Sequence, residues 1–342
     1  MHIALLYNEP TPSRYHALGE GIAVASVLVA VDAIKGALES RRHAVDLLGL
    51  RPPMSGVVAA LKGIQADVVF NLFEGFAGKP ETEWQVALAL ETAGLTFTGA
   101  RATTLALCLD KAKAKETLAA VGVPTPGFQL LSAGDLGRFS LGFPAIVKPA
   151  HEDASHGLNA NSVVYDMGSL AAQIAWVESR YGSPALVESY LPGREFNASI
   201  LGGLSPRVLP PTEIVFQAGM AGPQILTYAA KWIPEDPAYQ ATVPVCPAPV
   251  SKAVTARIKE LALAAHRAVG APHYARVDFR MDARGILYAL EVNPNPDLSP
   301  DTGMSIQADA DGMEYGGMIE AILALLLEEI RLGRHYVTSH AS

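Results

Sequence analysis

The stretch Ala275 to Pro296, ARVDFRMDARGILYALEVNPNP, sets one arginine, two carboxylates and an amide at spaced positions. Asp282 to Gly285 has turn chemistry and the residues on both sides alternate, which predicts a hairpin with a four-residue loop. Folding about that loop puts Arg276 opposite Glu291 and Asp278 opposite Ala289. Alternation then points Arg276, Asp278, Glu291 and Asn293 to one sheet face. Such a set suits a hard cation, because Mg²⁺ takes one or two carboxylates and fills its octahedron with water and phosphate oxygens. The arginine would neutralise an oxyanion or phosphate beside the metal. The plainer alternative is a cross-strand salt bridge between Arg276 and Glu291. The tail Asn293-Pro294-Asn295-Pro296 favours the cation site, since its prolines fix the backbone where two amides must point inward.

Lys148 closes an apolar strand in FPAIVKPA. A lone lysine there usually reaches for solvent. Here the next segment, His151 to Gly157, is a short polar loop ending in glycine, of the kind that closes over phosphates through backbone N–H groups. Lys111 and Lys231 also flank apolar segments. Three lysines, a carboxylate pair and a flexible loop suit a nucleoside triphosphate with magnesium. In ALVESYLPGREF, Glu188 ends a strand and Glu195 follows seven residues on. Two readings stand for them: a hinge that reads an adenine edge with a carboxylate for the ribose, or an exposed strand end. Tyr7, Glu9, Phe73 and Glu74 are candidates for substrate contact, because they fall on strand-end loops. Glu74, Glu81 and Glu83 would attract a cationic amine, although solvated loop charge is the simpler reading.

These residues need elements to position them. His2 to Tyr7, Ala44 to Leu50, Asp67 to Leu72 and Leu95 to Thr98 read as strands, with helices over Glu20 to Ser40 and Trp84 to Thr92. That alternation implies right-handed crossovers and a mostly parallel sheet. Asp110 to Val121 is a basic-faced helix stopped by Gly122, Pro124 and Pro126. Strands at Phe128 to Leu131, Ala145 to Lys148 and Ala185 to Glu188, with a helix at Leu170 to Tyr181, suggest a small second unit. Pro192-Gly193 turns the chain into a third block, Glu195 onward, which ends in the hairpin and a helix from Tyr315 to Leu332.

Composition narrows the class. The chain has 342 residues, half of them hydrophobic and 18% charged, which is ample for a large core and excludes disorder. Its longest uncharged apolar runs, Gly21 to Val31 and Ala321 to Leu327, fall well short of the roughly 20 residues a spanning helix needs, so no membrane partner is expected. The start, MHIALLYNEP, lacks the basic leader and long apolar stretch of a secretion signal. Two cysteines, Cys108 and Cys246, form no CxxC and favour a reducing, cytoplasmic setting. A net charge of −8 argues against a nucleic-acid partner. There is no GxxxxGK[ST], no complete GxGxxG after a strand, no HExxH and no GxSxG, which removes the P-loop, Rossmann, zinc and nucleophile-elbow chemistries.

The order Lys111, IVKP with Lys148, VESYL, AKW with Lys231, RVDF and EVNPNP resembles the ATP-grasp superfamily, and within it most closely the D-alanine–D-alanine ligases. The likeness runs from about residue 65 to 300 and more loosely to both ends. It implies an N-terminal parallel-sheet α/β domain (residues 1–105) and two α+β domains (106–190 and 191–342) that clamp ATP between them. By that resemblance Lys111 and Lys148 would hold the ATP phosphates. Glu188, Tyr190, Leu191 and Leu290 would line the adenine site, and Glu195 would take the ribose. Lys231 would reach the terminal phosphate, and Asp278, Glu291 and Asn293 would bind two Mg²⁺, with Mn²⁺ as a substitute. Arg276 would stabilise the tetrahedral intermediate, Ser155 would act from the phosphate loop, and Asn295 would touch substrate. The implied reaction makes an amide through an acyl phosphate from a small carboxylate and an amine, and the implied assembly is a homodimer.

The resemblance also has departures. The family carries a Gly-Gly-x-Ser turn and a glutamate-bearing segment after the first strand, where this chain reads Asn8-Glu9-Pro10-Thr11-Pro12-Ser13-Arg14. The family's first loop serine is Ala154, with Ser155 in the second serine's place, and the tyrosine after the phosphate lysine is Trp232. The segment DLSPDTGMS differs from the family's second-substrate turn. The sequence therefore implies an intact ATP half and a rewritten amino-acid half. The expectation is a ligase with a changed substrate; the alternatives are a genuine D-alanine–D-alanine ligase or an ATP-binding module without turnover.

Overall fold

The computed structural model describes residues 1–76, 78–219 and 222–333. Its first sheet has the order β2-β1-β3, all parallel, from His2–Asn8 (β1), Ala44–Leu50 (β2) and Val68–Leu72 (β3). Four successive residues of β1, Ile3 to Leu6, are buried because the strand is covered on both faces. Ile3 and Leu5 pack with the helix Val27–Ser40 and the C-terminal helix Tyr315–Arg331. Ala4 and Leu6 face the other way, onto Val57, Leu61 and the helix Thr82–Thr92. The last helix thus returns to the first sheet, so its core is built from both ends of the chain.

Two expected elements differ here. Glu20 to Ser40 is not one helix: a short turn Ile22–Ala25 precedes Val27–Ser40, with Ser26 between them. Leu95 to Thr98 contributes only a single parallel bridge, Val69 to Phe97, rather than a strand.

A second, antiparallel sheet has the order β4-β7-β5-β6, from Phe128–Leu131 (β4), Ala145–Pro149 (β5), Val163–Val164 (β6) and Ala185–Ser189 (β7). Ala145, Val147, Ala185 and Val187 bury one face against the helix Met167–Tyr181. That helix starts with an Asp166–Ser169 capping box and stops at Gly182, whose φ of 61° suits a residue without Cβ. The opposite face carries Lys148 and Glu188 toward the helix Lys111–Ala120.

The third sheet has six strands: Glu195–Leu201 (β8), Arg207–Val208 (β9), Thr212–Phe216 (β10), Thr242–Val245 (β11), Tyr274–Met281 (β12) and Leu287–Asn293 (β13). Its main path is β11-β10-β8-β12-β13, with β9 on β8. Phe196, Ala198, Val277, Phe279, Ala289 and Val292 bury one face against the amphipathic helix Lys252–Val269. The polar residues between them are left facing the second sheet. No helix among the described residues is long and apolar enough to cross a membrane.

Candidate active site

The hairpin does present Arg276, Asp278, Glu291 and Asn293 on one face, but in a different register. Arg276 pairs with Asn293 and Asp278 with Glu291, while Phe279 pairs with Ala289. Leu290 is the extra residue of a bulge between those pairs, and the loop is longer by one residue, closed by Asp282 N–H to Ile286 O. The bulge is what lets Ala289 and Val292 both face the core while Leu290 and Glu291 both face out. With strict alternation from Ala289, Glu291 would point into the apolar layer.

The anticipated Arg276–Glu291 salt bridge is absent. Arg276 instead forks onto Asp278, two residues along its own strand, at 2.7 and 2.8 Å. Glu291 is met by Lys111 at 3.2 Å. Burial pushes the Glu291 carboxyl up, but Lys111, Lys148 and Arg276 pull it down by more, so it is held ionised. Asn293 donates from Nδ2 to Asp278 at 3.1 Å, which leaves its Oδ1 free among the described residues. Two adjacent carboxylates and a free amide oxygen fit a hard divalent cation. Among the described residues no group of three or more His, Cys, Asp or Glu could hold a metal, so these three oxygen donors would need phosphate oxygens or water to complete a shell.

One cavity is lined by Lys111, Lys148, Ser155, Glu195, Lys231, Arg276, Asp278, Leu290, Glu291 and Asn293. It therefore gathers residues that the sequence placed at phosphates, ribose, base and metal. Glu195 is held by Arg280 at 2.5 Å, and burial raises its carboxyl more than Arg280 lowers it. Lys231, in the last turn of the short helix Tyr228–Trp232, has no carboxylate partner among the described residues. Burial and the neighbouring Arg276 make it easier to deprotonate.

Glu188 is not an exposed strand end. It is 1% exposed and lies between Lys115 and Lys148, each at 2.6 Å. Lys115, which sequence reasoning passed over, also donates to Leu290 O at 2.8 Å and so ties the bulge to the second sheet. Its signal was present: Lys115 is four residues after Lys111, on the same helix face. Tyr190 lies under the Arg280 guanidinium and Leu191 is buried; with Glu188, they line neither this cavity nor the one beside it.

The phosphate loop is tied down rather than loose. Ala154 and Ser155 adopt φ of 47° and 61°, a left-handed conformation that non-glycine residues rarely hold. Contacts from the segment after β1 over-determine it. Glu152 is held by Arg14 and by the Tyr15 hydroxyl. Glu20 faces His156 Nδ1 at 2.8 Å and accepts from Gly157 N–H at 3.1 Å and from Tyr181 OH at 2.9 Å. Trp232 Nε1 donates to Ala154 O at 2.9 Å. The segment after β1 thus does supply a glutamate to the loop, Glu20.

A second cavity adjoins the first and shares Lys231, Arg276 and Asn293 with it. Glu74 and Asn295 line it; Tyr7, Glu9 and Phe73 do not. Tyr7 packs against the apolar core, Phe73 is 1% exposed inside the first domain's other core, and Glu9 pairs with Arg51 at the outer edge. Strand-end position was a correct guide to the cleft only where the loop turned toward it. Asn295 accepts from Ala100 N–H at 2.8 Å and donates to Glu83 at 3.1 Å. Glu83 and Glu74 both line this cavity, Glu83 half-buried and Glu74 still exposed to solvent. Burial and Asp153 push the Glu83 carboxyl up to about 8. Burial, with Asp297, Asp153 and Glu83, raises Glu74 well above the usual carboxylate range.

Residues 118–324 match the model of the family described as the D-ala D-ala ligase C-terminus. A D-alanine–D-alanine ligase of Caulobacter sp. strain K31 is 33% identical over 93% of this chain and 91% of its own length. An uncharacterized protein of Sinorhizobium fredii is 34% identical over 75% of this chain and 73% of its own. Among solved structures, the Bacillus anthracis D-alanine–D-alanine ligase with ATP has a TM-score of 0.74 at 22% identity, covering 98% of this chain and 99% of that one. The VanG D-Ala:D-Ser ligase of Enterococcus faecalis has a TM-score of 0.73 at 18% identity, covering 95% and 99%.

Proposed function

The chain belongs to the D-alanine–D-alanine ligase family, ADP-forming ATP-grasp enzymes, and on that premise we propose that it makes an amide from a carboxylic acid and an amine other than two D-alanines. Residues 1–105, 106–190 and 191–342 act as three units with the nucleotide held between the second and third. Lys111 and Lys148 grip phosphates, Glu195 and Leu290 meet the nucleoside, and Lys231 reaches the terminal phosphate. Asp278, Glu291 and Asn293 would hold Mg²⁺, two ions in the fullest form of the reading, which would supply charge neutralisation at the phosphates.

The chain's own residues then divide the work. Lys231 and Arg276 stand where the two cavities meet, so a carboxylate in the second cavity faces a phosphoryl group in the first. Positioning and charge neutralisation are what phosphoryl transfer requires. The carboxylate takes the terminal phosphoryl group and ADP departs; an amine then attacks the acyl phosphate, loses a proton and expels inorganic phosphate. Arg276 neutralises the oxyanion of that second step. The loop of residues 152–157, latched by Glu20 and Tyr15, keeps water from the acyl phosphate.

The observation that carries the reading is the junction itself: Lys231, Arg276 and Asn293 line both cavities. Isotope transfer tests it. With an acid substrate labelled with ¹⁸O in its carboxylate, one label should appear in released phosphate. Unlabelled phosphate alongside a formed amide would exclude the acyl phosphate route.

A further inference from the structure

The second cavity is ringed by acid. Glu74 comes from the loop after β3, Glu83 from the first turn of the helix Thr82–Thr92, Asp153 from the loop after β5 and Asp297 from the tail after β13. None of the four is in an ion pair among the described residues. The cations in the same wall are Lys231 and Arg276, and the Arg276 guanidinium already forks onto Asp278. Carboxyl groups therefore outnumber cations in this wall, four to two.

An independent observation points to a ligand there. Asn8, at the end of β1, is 4% exposed and lines the cavity. Its Oδ1 accepts from Glu74 N–H at 3.0 Å, but its Nδ2 donates to nothing among the described residues. The rest of the side chain is buried, so this donor opens only onto the cavity, where a ligand oxygen can take it. Tyr15, Phe76 and Trp232 add aromatic surface to the same wall.

We propose that this cavity selects a cationic substrate of amino-acid size, one whose non-reacting ammonium or guanidinium group is held by Glu74 and Glu83 while Asn8 takes one of its oxygens. The inference rests on the ligase reading of the adjoining nucleotide site. The cavity, of about 130 Å³, has room for a side chain of the size a basic amino acid carries. The raised carboxyls of Glu74 and Glu83 reflect desolvation first and neighbouring acids second, and a bound cation offsets both.

The test uses the full chain with Mg²⁺ and a non-hydrolysable ATP analogue, titrated calorimetrically, and in parallel ADP release with ATP. The probes are lysine, ornithine and arginine of both hands, norleucine and Nε-acetyl-lysine as neutral isosteres, and glutamate as the acidic control. At least one basic probe should bind about tenfold or more tighter than its neutral isostere. Glu74→Gln and Glu83→Gln should each remove most of that preference. Circular dichroism reports whether each variant folds, and the matched probes on the unaltered chain decide even if both fail. A preference for basic probes with no ADP release from any of them, even when each is paired with pooled acids and amines, would sink the ligase reading and keep the cation pocket. ADP release with neutral partners as fast as with basic ones, unchanged in Glu74→Gln, would keep the ligase and overturn the pocket. Absence of any basic preference in binding overturns it as well.

Discussion

Asp278 and Glu291 stand directly opposite each other across β12 and β13, one pair before the register slips at Leu290. Their proximity depends on that slip, because the bulge turns Glu291 out of the apolar layer formed by Ala289 and Val292. Three contacts hold the bulge: Lys115 to Leu290 O, Pro124 O to Ala289 N–H, and Lys111 on Glu291. The metal-type oxygens are thus fixed by basic residues of the helix Lys111–Ala120, an element of a different part of the chain.

If Glu291 is a metal ligand, Glu291→Gln should lower turnover by at least about a hundredfold, since it removes a charge needed as phosphoryl transfer proceeds. Nucleotide affinity measured with Mg²⁺ should fall far less. An unchanged kcat would remove Glu291 from the proposed metal set.

Lys115→Met should be a stability variant. It leaves Glu188, almost wholly buried, with Lys148 alone, and breaking a buried pair costs roughly 3–5 kcal/mol. Thermal unfolding should show a drop of several degrees or a loss of soluble protein. A drop below about 1 kcal/mol would mean that Lys148 satisfies Glu188 unaided.

Glu20→Ala cuts three contacts to the phosphate loop and to Tyr181. With the loop less closely held, water should reach the acyl phosphate more often. The ratio of ADP formed to amide formed should rise above one, while ATP affinity changes little. A ratio that stays at one, with kcat intact, would show that Glu20 has no part in excluding water.

Glu83 supplies a pH signature. Its folded carboxyl titrates near 8 against an unfolded value near 4.3, because burial comes with Asp153 close by. Between those values the folded state binds more protons than the unfolded one. Glu83 therefore stabilises the fold at the acid end of that window, and the contribution is lost as pH rises to about 8. Glu83→Gln should gain stability relative to the unaltered chain by about 1 kcal/mol or more between pH 5 and 9, allowing for solvent access. A pH-independent difference in unfolding midpoint would contradict the assignment.

Much of this was legible before any coordinates. Strands such as Phe128–Leu131 and Glu195–Leu201 fall where apolar spacing and turn residues put them, and the polar face of the hairpin follows from alternation. The register did not, because a bulge changes facing without changing residue types: LYALEVN reads as plausible strand either way. Glu188 looked like a strand-end carboxylate because its two lysines lie 73 and 40 residues away in sequence. The acid ring was harder still. Asn8, Glu74, Glu83, Asp153 and Asp297 come from five segments that share no spacing, and only the assembled sheets bring them to one cavity. Glu20 was missed because its loop partners His156 and Gly157 lie 136 and 137 residues on in sequence.

The most direct test of the account is ADP release from ATP and Mg²⁺ in the presence of pooled acids and amines, followed by mass spectrometry of each active pool. The account predicts release that requires two partners and matches, one for one, a product lighter by one water than its two inputs. Release that ignores the second partner, or firm ATP binding with no release in any pool that contains basic and neutral amino acids of both hands, would contradict it.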